Sequence, residues 1–189
     1  MTMQELLERI RALYVGELAR RVAETEGALP EVALRHATGQ VTREGELDVG
    51  MRIDVAVVRD GEVVDRFHVA SGRKVQFEPI TATYEAASLE LHPFFWDGFT
   101  VAIQGDNAAS GTVAPLADWF AQWFGAADDD PAARDEDGLR GVAHFISDPE
   151  PIEGGRAFEV DLGSAPVEAF VSLLDACVAL GARRVTVRS

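Results

Sequence analysis

Residues 156–188, RAFEVDLGSAPVEAFVSLLDACVALGARRVTVR, decide the fold class of this chain. Apolar and polar residues alternate over 158–162, which is typical of a half-buried strand. Between Gly163 and Gly181 the apolar residues recur at helical spacing, and 183–187 predicts a further strand. A strand, a helix and a strand with short connections predict a βαβ unit, whose strands are normally parallel.

The N-terminus predicts an amphipathic helix. Apolar residues recur at spacings of three and four from Leu6 to Val22, while charged residues occupy the other faces. Gly27 provides a stop for this helix. We interpret its apolar stripe as a core face, and docking against a partner helix is the alternative.

The region 31–103 is rich in predicted strands. Alternation around Ile53, Val55 and Val57 predicts a half-buried strand, and Asp60-Gly61 behind it is a strong hairpin signal. The region therefore predicts an antiparallel meander. Its first part, 31–42, fits a short helix as well as a strand, and we favour the strand because a meander follows.

A second helix is predicted over 113–124, and the composition changes after it. The segment 126–138 contains six acidic residues and one arginine, which indicates a solvated loop. We expect one α+β domain over 1–189, formed by an antiparallel β-meander with an N-terminal amphipathic helix and a C-terminal βαβ unit. Its lobes are expected at 1–125 and 139–189.

Composition limits the classes of function. The formal net charge of 17 − 32 = −15 disfavours nucleic-acid binding, because such a surface repels phosphates. No apolar run reaches the ~18 residues of a membrane span, and the acidic N-terminus does not resemble a signal peptide. With one cysteine, Cys177, and one lysine, Lys74, against many arginines, the sequence predicts a bacterial, cytoplasmic protein.

Every catalytic template that we compared with the sequence fails. The segment 105–111 lacks the Gly-Lys-Ser/Thr ending of a phosphate loop, and Ser164 lacks the flanking glycines of a nucleophile elbow. We interpret Ser164 as a helix cap. The acids of 128–137 do not match an EF-hand in either possible register, and Cys177 lies on an apolar helical stripe. We therefore expect no catalytic residues and no cofactor.

The four histidines do not form a local metal motif. No two of them have the spacing of neighbouring ligands, so a metal site would need ligands from separate elements, and we predict none. His144 alternates in phase with apolar residues and is expected on a core face. His68 is expected to be exposed, whereas His36 is not placed.

The most unusual passage is 92–99, which combines four aromatic residues with a histidine and an aspartate in a predicted turn. One interpretation is a satellite core that folds over the edge of the sheet. The other is a binding surface, because rigid aromatic side chains are common interface anchors. The candidate binding residues are His92, Phe94, Phe95, Trp96, Asp97, Trp119 and Trp123.

Three functions remain open. We favour a non-catalytic acidic binding protein of the inhibitor, toxin-neutralising or adaptor type, with a partner that has a basic surface. The second is a small-molecule-binding domain or enzyme with a site between the sheet and the 93–98 turn, lined by His92, Asp97 and Glu85. The third is a structural subunit of a homo-oligomer such as a homodimer.

Overall fold

The computed structural model of the chain describes residues 1–105, 108, 111–125 and 138–189. Within this part there are three helices: α1 (Met3–Glu24), α2 (Ala114–Phe124) and α3 (Val167–Ala179). The strands are β1 (Ala28–Ala33), β2 (Arg52–Arg59), β3 (Glu62–Phe67), β4 (Ile80–Tyr84), β5 (Ala87–Leu91), β6 (Phe99–Gln104), β7 (Phe145–Ile146), β8 (Glu150–Ile152), β9 (Gly155–Asp161) and β10 (Arg184–Arg188). The fold class is α+β, as the sequence predicts. None of the described helices combines the length and the apolarity that a membrane span requires.

Helix α1 begins with a capping box. The Thr2 hydroxyl accepts a hydrogen bond from the backbone N–H of Glu5, and the Glu5 carboxylate accepts one from the backbone N–H of Thr2. The apolar stripe is buried along the helix, which confirms the predicted core face. Its fully buried members are Leu6, Leu7, Ile10, Tyr14, Val15 and Leu18.

Strands β1, β2 and β3 form a three-stranded antiparallel sheet. Asp60 and Gly61 both have positive φ angles, 53° and 83°, as the predicted tight hairpin between β2 and β3 requires. Strand β2 departs from the expected half-buried pattern, because its residues from Arg52 to Val57 are all buried. Both faces of β2 therefore lie inside the protein, and its polar side chains Arg52 and Asp54 are buried. Of the segment 31–42, for which we favour a strand, only residues 31–33 at the end of β1 belong to a strand.

The second sheet has the strand order β4-β5-β10-β6-β9-β7, and β8 also pairs with β9. Strand β10 lies between β5 and β6, parallel to the first and antiparallel to the second. The predicted meander therefore ends at β3, because the chain continues into another sheet in which β5 and β6 are not neighbours. Strands from both predicted lobes, 1–125 and 139–189, share this sheet.

The predicted strand–helix–strand unit is formed by β9, α3 and β10. Both β9 and β10 are antiparallel to β6, so they run parallel to each other with β6 between them. The insertion of β6 is a long-range pairing that local periodicity does not reveal. The acidic segment 126–137 and residues 106, 107, 109 and 110 of the glycine-rich segment lie outside the described residues.

The start of α3 differs from the sequence prediction. The N-cap residue is Pro166, and it makes no side-chain cap hydrogen bond. Ser164 is not the cap: its hydroxyl accepts a hydrogen bond from the backbone N–H of Gly141 at 2.8 Å. The turn before α3 is therefore tied to another segment of the chain rather than to its own helix.

Gly163 provides a test of this packing. A Cβ at Gly163 would overlap the ring of His144 and the carbonyl oxygen of Val142, whereas a Cβ at Gly72 would meet no atom. Both glycines have positive φ angles, 52° and 63°, so Gly163→Ala and Gly72→Ala share a backbone cost of about 1–2 kcal/mol. We expect Gly163→Ala to cost about 1–3 kcal/mol more, measured by urea unfolding. Equal losses in the two variants would contradict the close approach of His144.

Candidate functional site

The centre of the candidate site is the buried imidazole of His144, which lies just before β7. Its Nε2 atom is 2.9 Å from Oε1 of Glu31, on β1. Its Nδ1 atom is 2.9 Å from Oδ1 of Asp54, on β2. All three side chains are almost fully buried. Because both ring nitrogens face carboxylates, the geometry fits a doubly protonated ring that donates to each of them.

Glu31 joins three segments of the chain. Its Oε1 atom also accepts a hydrogen bond from the backbone N–H of Ser164 at 3.0 Å, and its Oε2 atom accepts one from the backbone N–H of Arg140. The backbone of Glu31 is left-handed, with a φ angle of 56°, which is uncommon outside glycine. Strain of this kind persists where the surroundings hold the residue firmly.

Asp161 is the third carboxylate next to His144 and stands at the end of β9. Its Oδ1 atom accepts a hydrogen bond from the backbone N–H of Gly163 at 2.8 Å. Its Oδ2 atom is 3.7 Å from Nδ1 of His144, and this side chain is 18% exposed. Burial raises the pKa of Asp161 to about 7; the charges of Asp54 and Asp97 also raise it, and His144 lowers it.

The neighbouring carboxylates determine the protonation state of the His144 ring. Burial alone would lower the pKa of the imidazole, but Asp161, Asp54 and Glu31 outweigh it and raise the pKa to about 10. Burial also opposes ionisation of Glu31 and Asp54, yet hydrogen bonding to His144 brings both carboxyl pKa values below their usual range. One cation therefore faces two ionised carboxylates, Glu31 and Asp54, and a third carboxyl group, Asp161, whose pKa is about 7, so the cluster has an excess of negative charge.

Tyr14 of α1 reaches the same cluster. Its ring lies edge-on to the His144 ring, with centroids 6.5 Å apart. Burial, and then the charges of Asp161, Asp54 and Glu31, hold the pKa of the phenol well above its usual value. In the described part of the chain, the Tyr14 hydroxyl and Nε1 of Trp96 are buried and make no hydrogen bond of normal geometry, although Asp54 lies beside the Tyr14 hydroxyl and also raises its pKa.

A cavity of about 490 Å³ opens beside Asp161. Its lining residues are Met51, Arg52, His68, Asp97, Gly98, Phe99, Thr100, Phe145, Glu159, Val160, Asp161 and Ser189. His68 lies at this cavity, and its Nδ1 atom is 3.7 Å from Oδ2 of Asp54. The cavity therefore combines an acidic inner wall with apolar sides.

The Arg52 guanidinium is held by the protein itself. It donates hydrogen bonds to the backbone carbonyls of Phe124, Glu31 and Gly125, and it lies 4.4 Å above the Phe124 ring. An arginine in this position ties the end of α2 to β1 and β2.

The aromatic residues predicted to bind a partner are mostly in the core. Phe94 and Trp96 are buried and pack against Phe170 of α3. Trp119 is buried and its Nε1 donates to the backbone carbonyl of Ala169, while Trp123 donates to the Ser172 hydroxyl. Phe94, Trp96 and Trp119 offer little surface to a partner in this conformation, whereas Trp123 is partly buried, and the satellite-core interpretation fits the placement of the buried rings.

The other predicted site residues are separated. Nε2 of His92 is 2.8 Å from Oε1 of Glu90, and the ring is one-third exposed. Asp97 lines the cavity, and its carboxylate accepts a hydrogen bond from the Ser71 hydroxyl at 3.3 Å. Phe95 is half-buried, with the Lys74 ammonium 4.5 Å from its ring centre. His92 and Asp97 therefore have different hydrogen-bond partners, Glu90 and Ser71.

Other predictions from the sequence agree with the structure. His144 is buried and His68 is 67% exposed, as expected. Cys177 is buried, and burial raises the pKa of its thiol to about 12, which fits core packing. Sequence reasoning missed Glu31, Asp54 and Asp161. An acid between apolar residues of a strand, as at Asp54, was the available signal, but alternation assigned it to a solvent face.

No protein-family model matches this sequence, and no curated protein or solved structure matches the chain. The functional argument therefore rests on the site itself.

The first prediction from this site concerns Glu31. In Glu31→Gln, the amide N–H₂ group would face a hydrogen-bond donor of the protein, because both Glu31 oxygens accept hydrogen bonds. The His144 ring would also lose a negative counter-charge. We expect a loss of about 3–5 kcal/mol in unfolding free energy, as for other broken buried pairs. The exposed Glu62 of β3 gives the matched control: Glu62→Gln should change stability by no more than about 0.5 kcal/mol. Similar unfolding free energies for the two variants in urea would show that the Glu31 charge does not stabilise the fold.

The second prediction concerns pH. Because the pKa of His144 rises from 6.5 to about 10 on folding, its stabilising contribution is complete below pH 6.5 and is lost as the pH rises towards 10. The groups that face this ring are Glu31, Asp54, Asp161 and Tyr14. NMR of the ring nitrogens, with the signal assigned through its contact to Tyr14, should show imidazolium at pH 8. A neutral ring at that pH would contradict the charge assignment.

Proposed function

We propose that this protein binds a small positively charged ligand in the cavity beside Asp161. The observation that carries the proposal is the group of three acidic residues, Asp97, Glu159 and Asp161, in the lining of one cavity. Asp161 shares the charge of His144, 3.7 Å away, with Glu31 and Asp54. A ligand cation would add counter-charge to this acidic lining.

The size and the remaining walls of the cavity suit a small molecule. Sites for small ligands usually occupy about 300–1,000 Å³ and combine apolar walls with a few polar groups. Met51, Phe99, Phe145 and Val160 provide apolar surface here. Aromatic rings next to carboxylates favour cations, which gain from both kinds of group.

This proposal follows the small-molecule alternative from the sequence rather than the favoured one. The cavity is lined by Asp97, Gly98 and Phe99 of the aromatic turn, although His92 and Glu85 do not line it. A protein partner with a basic surface stays a prediction that rests on the net charge of −15. The burial of Phe94, Trp96 and Trp119 removes the anchors that were expected for such a partner.

A thermal-shift panel tests the proposal. The full chain is heated with small primary amines, diamines, guanidinium compounds and divalent metal ions. A cation present at about 100 times its Kd should stabilise the folded protein by about 2.7 kcal/mol, which is about 5–10 °C for a chain of this size. Asp161→Asn should reduce the shift, because it removes one of the three carboxylates that line the cavity.

The control variant is Asp60→Asn. It makes the same change of charge in the exposed β2–β3 hairpin, where asparagine also suits the turn. This variant should respond to the panel as the unaltered protein does. If no cation, organic or inorganic, shifts the unfolding of the unaltered protein, the proposal is wrong.

A further inference from the structure

We infer that the inner wall of this cavity is a binding site for a divalent transition-metal ion, with Nδ1 of His144 and the carboxylates of Asp54 and Asp161 as ligands. The inference rests on the proposed function, since it names the chemical class of the cation. It also goes further, because Asp54 and His144 lie behind the cavity lining and come from a different sheet and segment.

The spacing of the three donor atoms suits such an ion. One ligand atom from each residue lies within 4.8 Å of the other two. Nδ1 of His144 is 2.9 Å from Oδ1 of Asp54 and 3.7 Å from Oδ2 of Asp161. Ligands at the usual metal distances of about 2.0–2.2 Å in a tetrahedral site stand about 3.4 Å apart. Small side-chain movements would therefore bring all three atoms to one ion.

Each carboxylate is held by its other oxygen. Oδ2 of Asp54 accepts a hydrogen bond from the backbone N–H of Val69, and Oδ1 of Asp161 accepts one from the backbone N–H of Gly163. The oxygens that remain, Oδ1 of Asp54 and Oδ2 of Asp161, are those that face Nδ1 of His144. The backbone thus orients two carboxylates towards one point, as preorganised ligands require.

Glu31 completes the arrangement from the far side of the ring. Its carboxylate lies 2.9 Å from Nε2 of His144, so that Nε2–H can donate to it. A carboxylate that accepts from the second nitrogen of a ligating histidine fixes the tautomer and strengthens the ligand. Nδ1 is then the atom available for the metal, and it is the nitrogen that faces both aspartates.

The Tyr14 hydroxyl gives an independent indication of a missing group. It is buried beside Asp54, it makes no hydrogen bond of normal geometry in the described part of the chain, and its ring packs edge-on to His144. A buried hydroxyl without a well-formed hydrogen bond is rare in native proteins and often marks the site of a bound ion or water. A metal ion or its bound water beside His144 would supply this partner.

The donor set indicates the class of metal. One imidazole and two carboxylates suit Zn²⁺, Mn²⁺, Fe²⁺ or Co²⁺, whereas Ca²⁺ and Mg²⁺ prefer oxygen ligands alone. Binding needs the proton on Nδ1 of His144 to leave for solvent, so one proton is released for each ion bound. The positions left open on the ion would face the cavity, next to His68.

Metal titration of the full chain tests the inference. After treatment with a chelator, the protein is titrated with Zn²⁺ by calorimetry in two buffers of different ionisation heat, and with Co²⁺ by visible absorption. We expect one ion per chain, release of a proton, and a Co²⁺ spectrum of low coordination number. The His144 NMR signals should move when Zn²⁺ is added.

Asp161→Asn is the decisive variant, because its amide oxygen can still accept from Gly163 while the amide nitrogen replaces the ligand oxygen. We expect its affinity for Zn²⁺ to fall at least about tenfold, with the fold checked by circular dichroism. Glu159→Gln is the matched control on the same cavity wall, since it removes an equal charge from a residue outside the ligand set. It should leave the affinity within about threefold.

The outcomes separate the two proposals. If amines stabilise the protein and no metal binds, the cavity is a cation site and the metal inference is wrong. The inference is also wrong if Asp161→Asn and Glu159→Gln weaken Zn²⁺ equally, or if His144 signals do not respond. If neither amines nor metals bind, both proposals fail. Asp54→Asn gives a second test wherever that variant stays folded.

Discussion

The rest of this structure depends on the buried contact between His144 and its two carboxylates. Glu31 and Asp54 belong to the three-stranded sheet, whereas His144 and Asp161 belong to the segments that join the larger sheet. The ion-paired ring therefore connects two sheets whose strands do not pair with each other. Burying these charges is costly, and it is tolerable only because each charged atom has a partner, so no member can be removed without consequence.

The same contact creates the candidate site. Once Glu31 and Asp54 are paired with His144, Asp161 is a third carboxylate without a cation of its own, and it faces the cavity with Asp97. Strongly shifted pKa values in a cleft are a feature of many functional sites, which makes this cluster a candidate site. The same excess of negative charge therefore matters both for the stability of the fold and for the candidate site.

The aromatic turn illustrates why composition alone misdirects a functional search. Phe94 and Trp96 occur in a predicted turn that could be a satellite core or a binding surface, and they are buried against Phe170. Phe170, the ring that packs on both of them, belongs to α3 and follows more than 70 residues later in the chain. The local sequence indicates that these rings must be buried. It does not indicate whether the same chain or a partner buries them.

By itself, the sequence determined the elements whose signals are local. The amphipathic stripe of α1, the Asp60-Gly61 hairpin, the helix ending at Gly125 and the strand–helix–strand unit all follow from periodicity and turn chemistry. It also predicted that His144 is buried and that Asp97 belongs to a candidate site. Tertiary structure alone decided that β10 separates β5 from β6, and that Glu31, Asp54 and Asp161 converge on His144. The reason is physical: the insertion of β10 and the pairing of Glu31 and Asp54 with His144 act across 80 residues of chain or more, and no spacing within a short window encodes them.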